Sequence, residues 1–208
     1  MAPPEGSFGR APTPRGEVTI LTTERLLLRR WRPDDREPFA QLNADPAVMR
    51  YFPNPLSRAE SDAFIERTEA SFAERGYGLW AVERRSDGSF LGFTGLWRHT
   101  FEAPFTPAVE IGWRFAAHAW GQGYATEAAR AGVRFGFEQT GLDEILSWTS
   151  VLNTPSIRVM QRLGMTHDPA DDFDHPRLPV GHPLRRHVLY RLPRLTWERG
   201  EAHPSAGS

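Results

Sequence analysis

Apolar positions along the chain switch between a period of two and a period near 3.6, and glycine, proline and short polar clusters mark each switch. Residues 24–31 (ERLLLRRW) read as a first strand. Pro33 with Asp34 and Asp35 then opens a helix, because proline suits the first helical turn and acids suit its positive end. Ser57 and Glu60 have capping-box spacing, and the Ala- and Glu-rich stretch after them runs to about Arg75 before Gly76 stops it. Residues 78–85 and 90–98 are β-rich runs joined by Ser86-Asp87-Gly88-Ser89, a hairpin signal. The cleanest alternation is in residues 108–115, with Val109, Ile111, Trp113 and Phe115 on one face and Glu110, Gly112 and Arg114 on the other.

After Gly121 and Gly123, the positions Ala125, Ala128, Ala129, Gly132, Val133, Gly136 and Phe137 follow helical spacing and make an unusually small buried face. Glu127, Arg130, Arg134 and Glu138 lie opposite, spaced for weak surface ion pairs. A strand follows over residues 144–151. A helix then runs from Thr154 to about Leu163, with Pro155 in its first turn and Gly164 at its end, and residues 187–192 (HVLYRL) form a last strand. The order is roughly β-α-α-β-β-β-α-β-α-β-β, which predicts an α/β protein of the α+β type, a mixed sheet covered by helices. No internal repeat or linker divides residues 17–192, so they read as one domain. Residues 1–16 read as a disordered arm, and residues 193–208, with Trp197 as their only large aromatic, as a poorly ordered tail.

Composition removes whole classes of chemistry. The 208 residues contain no Cys and no Lys, so all 25 basic side chains are Arg. That excludes thiol nucleophiles, Cys-based zinc and iron–sulfur sites, disulfides, lysine Schiff bases and the Walker A lysine. A coding bias toward Arg accounts for the missing Lys. The net charge of -1 and the scattered Arg pairs carry no sign of a nucleic-acid partner. No apolar stretch is long enough for a membrane helix, and a cytoplasmic location is expected.

The most specific segment is Trp120-Gly121-Gln122-Gly123-Tyr124-Ala125-Thr126-Glu127-Ala128, between a strand and a helix. Two glycines at a helix entrance let the backbone approach a ligand closely, and the free N–H groups of the first turn favour an anion. A Walker A loop fails for want of Lys. A Rossmann fingerprint fails because Thr126 holds the third small position and no acidic ribose partner follows. What remains is a pyrophosphate held with little help from charged side chains, as in coenzyme A, or a plain glycine turn and helix start.

WGQGYATEA, with the preceding VEIGWRF and the following VLNTPSIRVMQRLGM, resembles the acyl-CoA-binding half of the Gcn5-related N-acetyltransferases (GNAT). TERLLLRRW, DPAVMRYF and HVLYRL resemble the branch of ribosomal-protein N-terminal acetyltransferases, so the likeness spans about residues 23–192. It implies a mostly antiparallel sheet of 6–7 strands with helices on both faces, and acetyl-CoA as cosubstrate with no metal. In the family's pyrophosphate motif, Gly123 and Ala125 match the last two fixed positions, and Trp120 stands where an Arg or Gln is usual. The backbone of Gly121, Gln122, Gly123, Tyr124, Ala125 and Thr126 would then carry the contacts.

The resemblance further implies that Asn153 bonds the pantetheine amide and Ser156 sits near the thiol. Met160 replaces the Tyr that often protonates the departing thiolate, so the acid is Ser156, another side chain or water, or none is needed, since a thiolate is a good leaving group. Direct attack of an amine in a ternary complex is implied, with a backbone N–H near Ile111 or Gly112 as oxyanion donor. Glu110 is the candidate base, acting directly or through a water; the alternative is a strand carboxylate paired with an Arg. The acceptor is a protein N-terminus or a small amine such as an amino acid, polyamine or aminoglycoside. The rival reading is a non-catalytic acyl-CoA-binding or interaction module. A homodimer is common among such domains. His118 reads as a surface residue, and the cluster Asp168, Asp171, Asp172, Asp174 and His175 as a solvated loop without a metal. Tyr51, Phe52, Trp97 and Trp31 are candidates for an acceptor pocket, or for core and rim.

Overall fold

A computed structural model describes residues 20–202, and the arm expected over residues 1–16 lies outside them. Strands β1 (Leu21–Thr22) and β2 (Leu26–Arg29) lead into helices α1 (Arg36–Ala44) and α2 (Arg58–Arg75). The capping box forms as its spacing predicts, with Glu60 N–H donating to Ser57 Oγ at 3.2 Å and Ser57 N–H to Glu60 at 2.7 Å. The meander β3 (Leu79–Arg84), β4 (Phe90–His99) and β5 (Ala108–Phe115) follows, then α3 (Tyr124–Gln139), β6 (Glu144–Ser150) and α4 (Thr154–Arg162). The chain closes with β7 (Thr166–His167), β8 (Phe173–Asp174), β9 (Arg186–Pro193) and α5 (Arg194–Ala202).

All strands join one sheet in the order β1-β2-β3-β4-β5-β6-β9-β7, with β8 also on β9. Pairing is antiparallel except between β5 and β6. The mixed, mostly antiparallel sheet is the one expected. Its strand number exceeds 6–7 because β1, β7 and β8 have only two residues each, too few to show a period.

The sheet is covered on both faces. Helices α3, α4 and α5 cover one, around Ile111, Val133, Ile145 and Met160. Helices α1 and α2 cover the other, around Phe39, Leu42, Ile65 and Phe93. The small face of α3 has a packing reason: a Cβ on Gly132 would come 3.0 Å from Ile111 Cδ1, and one on Gly136 would come 2.8 Å from Ile145 Cδ1. The helix therefore lies close on β5 and β6, the strands that build the site.

The poorly ordered tail expected from residue 193 is corrected in its first half. Residues Arg194–Ala202 form helix α5, and Trp197 is buried against Phe137 of α3. Arg194 N–H donates to Asp143 O at 2.8 Å, so the helix starts directly off β9 without a polar cap residue to announce it. Of the ion pairs expected along α3, Arg134–Glu138 forms at 4.0 Å, and the other charges are redirected. Arg130 and Arg134 both reach Glu201 of α5, and Glu127 reaches Arg25. Trp197→Ala should cost about 3–5 kcal/mol of unfolding free energy in a urea titration, the scale for emptying a large aromatic site. An unchanged midpoint would contradict this docking.

Candidate functional site

Strands β5 and β6 share a single registered pair, Glu110 with Leu146, reinforced by Ser147 Oγ donating to Ile111 O at 2.9 Å. Beyond it, residues 112–115 of β5 pair only with β4, while β6 continues along β9. The sheet therefore splits, and a cavity of about 490 Å3 fills the split. Gly112, Trp113 and Arg114 line it from β5, Ser147, Trp148 and Thr149 from β6, and Asn153, Ser156 and Met160 from α4. Expected site residues far apart in sequence, Glu110, Asn153 and Ser156, thus face one space. Ile111 does not line it, and its side chain is fully buried under α3.

The glycine turn sits at the far end of β5. Gly121 and Gly123 adopt φ values of 73° and 81°, a left-handed backbone that favours glycine. The first intrahelical bond of α3 is Glu127 N–H to Gly123 O at 3.1 Å, and no side chain caps the helix. The N–H groups of Tyr124, Ala125 and Thr126 therefore have no intrahelical acceptor, and the helix dipole adds positive potential there. A Cβ on Gly121 would meet nothing within 4 Å, so the approach is open. This fits a pyrophosphate. Trp120 is half exposed, but its indole N–H is committed to Phe115 O at 2.9 Å, and Gln122 Nε2 is committed to His118 O at 2.9 Å. His118 itself is exposed and does not line the cavity.

Arg25, which sequence reasoning passed over, is clipped onto this turn. It donates to Gln122 O at 2.9 Å and to Glu127 at 2.7 Å, and its guanidinium lies 4.7 Å from the Tyr124 ring centre. Burial pushes the Glu127 carboxyl up, but hydrogen bonds from Thr23 and Arg25 outweigh it and hold the group below the usual carboxylate range.

At α4 the Asn153 side chain caps the helix, its Oδ1 accepting from Ser156 N–H at 3.4 Å. Its Nδ2 donates to Thr149 Oγ1 at 2.9 Å and to Ser156 Oγ at 3.0 Å. The hydroxyl of Ser156 is thereby held at the cavity wall, with Met160 buried beside it.

Glu110 pairs not with an Arg but with a histidine: His99 Nε2 lies 2.6 Å from its Oε2. The His99 ring stands edge-on to Trp148, centroids 4.5 Å apart, which fixes its plane. His175 and His187 line the same cavity with ring centres 5.0 Å apart. Burial, with added repulsion from His187 and Arg177, lowers the His175 pKa to about 4, and burial also pushes His187 down. His175 is therefore neutral at pH 7.

Sequence reasoning did not single out His99, His187 or Arg114, and it read His175 with the acidic loop. A signal for His99 existed. In the β4–β5 register Glu110 faces Trp97 and Ala108 faces His99, so His99 is the diagonal same-face neighbour of Glu110. The loop acids separate into distinct ion pairs, Asp171 with Arg191, Asp172 with His167, and Asp174 with Arg185. Tyr51, Phe52 and Trp97 line the cavity, while Trp31 is core, its indole N–H donating to Leu79 O at 2.7 Å.

The candidate site thus combines a split between two parallel strands, an uncapped glycine-led helix start and a carboxylate. The description "Acetyltransferase (GNAT) domain" matches residues 25–166, and the chain belongs to this family. It is 30% identical over 178 residues to the uncharacterised N-acetyltransferase YnaD of Bacillus subtilis, covering 85% of this chain and 98% of that protein. The GNAT-family acetyltransferase from Bacillus anthracis superposes with a TM-score of 0.70 at 26% identity, covering 84% of this chain and 98% of the other. RimL, a ribosomal L7/L12 alpha-N-protein acetyltransferase solved with coenzyme A, shares the fold with a TM-score of 0.67 at 18% identity, over 84% of this chain and 98% of its own. Family membership implies acetyl transfer from acetyl-CoA. Among the described residues no helix is long and apolar enough to cross a membrane.

Proposed function

We propose that this chain transfers the acetyl group of acetyl-CoA to a primary amine by direct attack within a ternary complex. The observation that carries the reading is the split beyond Glu110–Leu146, where the Glu110–His99 pair, Gly112, Asn153 and Ser156 line one cavity. The open N–H cluster of Gly121–Thr126 stands at the tail of the same strand.

The pyrophosphate lies on the backbone N–H groups of Gly121 to Thr126, with Arg25 as the nearby cation and Trp120 as an aromatic flank. Asn153 meets the pantetheine amide. The amine nitrogen forms a bond to the thioester carbonyl carbon, a backbone N–H near Ile111 or Gly112 stabilises the developing oxyanion, and the carbon–sulfur bond breaks. The proton lost by the amine passes to Glu110, directly or through His99 or a water. The sulfur leaves as a thiolate and takes up a proton from water, with the Ser156 hydroxyl donating a hydrogen bond to it, while Glu110 returns the amine's proton to solvent; Met160 has no proton to give.

Thiol release from acetyl-CoA, measured against amines and peptides with product mass as the second readout, tests this. Acetylated product with matching thiol release is expected. Coenzyme A binding with no release on any amine would instead establish a non-catalytic acyl-CoA-binding module.

A further inference from the structure

The cavity holds a cation that the reaction above does not use. Arg114 projects from the Glu110–Gly112–Arg114 face of β5 into the space under α1 and α2. Its guanidinium lies 4.1 Å from the Phe52 ring centre and 5.4 Å from that of Phe93, and Nη1 donates to Asn43 Oδ1. Asn43 is fully buried and locked by its own bond to Ser61 Oγ at 3.0 Å, so the head group is positioned by a neutral acceptor and two aromatic faces. Among the described residues Arg114 Nε has no hydrogen-bond partner. Burial, with no compensating acid, lowers the Arg114 pKa to about 10, so it stays charged at pH 7. What exposure it retains faces the cavity.

A structural arginine in this protein is built differently. Arg29, which is buried, is gripped by Asp35 at 2.7 and 2.8 Å and by Glu83 at 2.6 Å. A desolvated cation without a counter-charge is costly, and one persists where a ligand supplies the charge. The rest of the lining agrees. Arg67 and Arg177, both exposed, also line the cavity. Among the described residues Glu110 is the only carboxylate that lines the cavity, against three arginines. Thr68 Oγ1, on the same wall, is a further buried polar atom without a partner among the described residues.

We infer that the acetyl acceptor is a primary amine bearing a carboxylate, which Arg114 binds while the amine faces Glu110. This rests on the acetyltransferase reading and narrows it: acid-bearing peptide N-termini and amino acids long enough to span the roughly 13 Å that four strand residues cover fit, whereas polyamines and aminoglycosides meet like charge. The carboxylate pairs with a planar donor already fixed in place, which favours a bidentate grip.

The test compares kcat/KM for amino acids of graded length, their carboxamides, short peptides with an acidic or neutral second residue, and spermidine, using thiol release. Each acid should exceed its carboxamide by about 10- to 100-fold, the range for a charge-assisted hydrogen bond in a desolvated site. Arg114→Gln should erase the preference and Arg114→Lys should restore part of it, both through KM for the acceptor, with coenzyme A affinity unmoved. Whether free amino acids or acidic peptides lead identifies the source of the carboxylate. Equal rates for acids and carboxamides, or preference for spermidine, overturn the inference and leave acetyl transfer standing. If no amine turns over, the transferase reading fails. Quenching of Trp97, Trp113 and Trp148 fluorescence by the same acids, with coenzyme A present, then decides. Saturable binding by acids and not carboxamides upholds the carboxylate site, and its absence overturns it. The wild-type comparison needs no variant, so a misfolded Arg114→Gln does not remove the test.

Discussion

Gly123→Val should raise the dissociation constant for coenzyme A by about 100-fold or more, through two effects that act on the same few atoms. Gly123 holds φ at 81°, and a β-branched residue there costs roughly 1–2 kcal/mol or more. The cheapest relief is to rotate the turn toward negative φ, which turns the N–H groups of residues 123–126 away from their common focus. Each charge-assisted N–H bond lost to a phosphate is worth about 1.5–3 kcal/mol, so two suffice for the predicted effect. Calorimetric titration of coenzyme A measures it. Gly141 supplies the control, since it also sits at positive φ, 70°, with nothing within 4 Å of its Cβ, in the turn between α3 and β6. Gly141→Val should lower stability by a similar amount and leave coenzyme A binding alone. If both variants bind coenzyme A as the wild type does, the glycine turn is only a helix start.

That turn was legible in the sequence because everything it needs is local: two glycines, a small-residue helix and no side-chain cap within a few positions. The same holds for α2, whose Ser57–Glu60 box and Gly76 stop lie within its own length, and for the Asp87-Gly88 hairpin. The alternation of residues 108–115 also put Glu110 on the correct face. What it left open was the depth of that face. Arg114 reads as an ordinary polar position on a half-solvated strand, and only the placement of α1 and α2 over it, with Phe52 and Asn43 arriving from outside the strand, makes it a buried cation.

Helix α5 was missed for a related reason. Its stability comes from Trp197 on Phe137 and from Glu201 on Arg130 and Arg134, contacts that span long stretches of chain, and not from propensity or caps. His175 shows the limit of composition. Its neighbours Asp171, Asp172 and Asp174 carried it into an acidic-cluster reading, yet their carboxylates leave for separate arginine and histidine partners and the imidazole turns into the cavity.

Glu110→Gln should lower kcat for acetyl transfer by about 10²- to 10⁴-fold at pH 7, the usual contribution of a positioned base, with little change in KM for acetyl-CoA. Glutamine keeps the shape and an acceptor oxygen for His99 but cannot take a proton. Without a base, only the neutral fraction of the acceptor reacts, and that fraction grows tenfold per pH unit up to the amine pKa, about 8 for an α-amine and about 10.4 for a lysine side chain. The variant's deficit should therefore shrink as pH rises, and close sooner for an α-amine acceptor. His99 is bonded to Glu110 at 2.6 Å, so the two are expected to act as one unit. His99→Asn should reproduce much of the loss, and the double variant should lose little more than the worse single, because members of one proton-transfer unit are non-additive. If the two losses instead multiply, His99 and Glu110 serve separate steps. A Glu110→Gln pH–rate profile that superimposes on the wild type would remove Glu110 from the chemistry and leave it a strand carboxylate whose partner is His99.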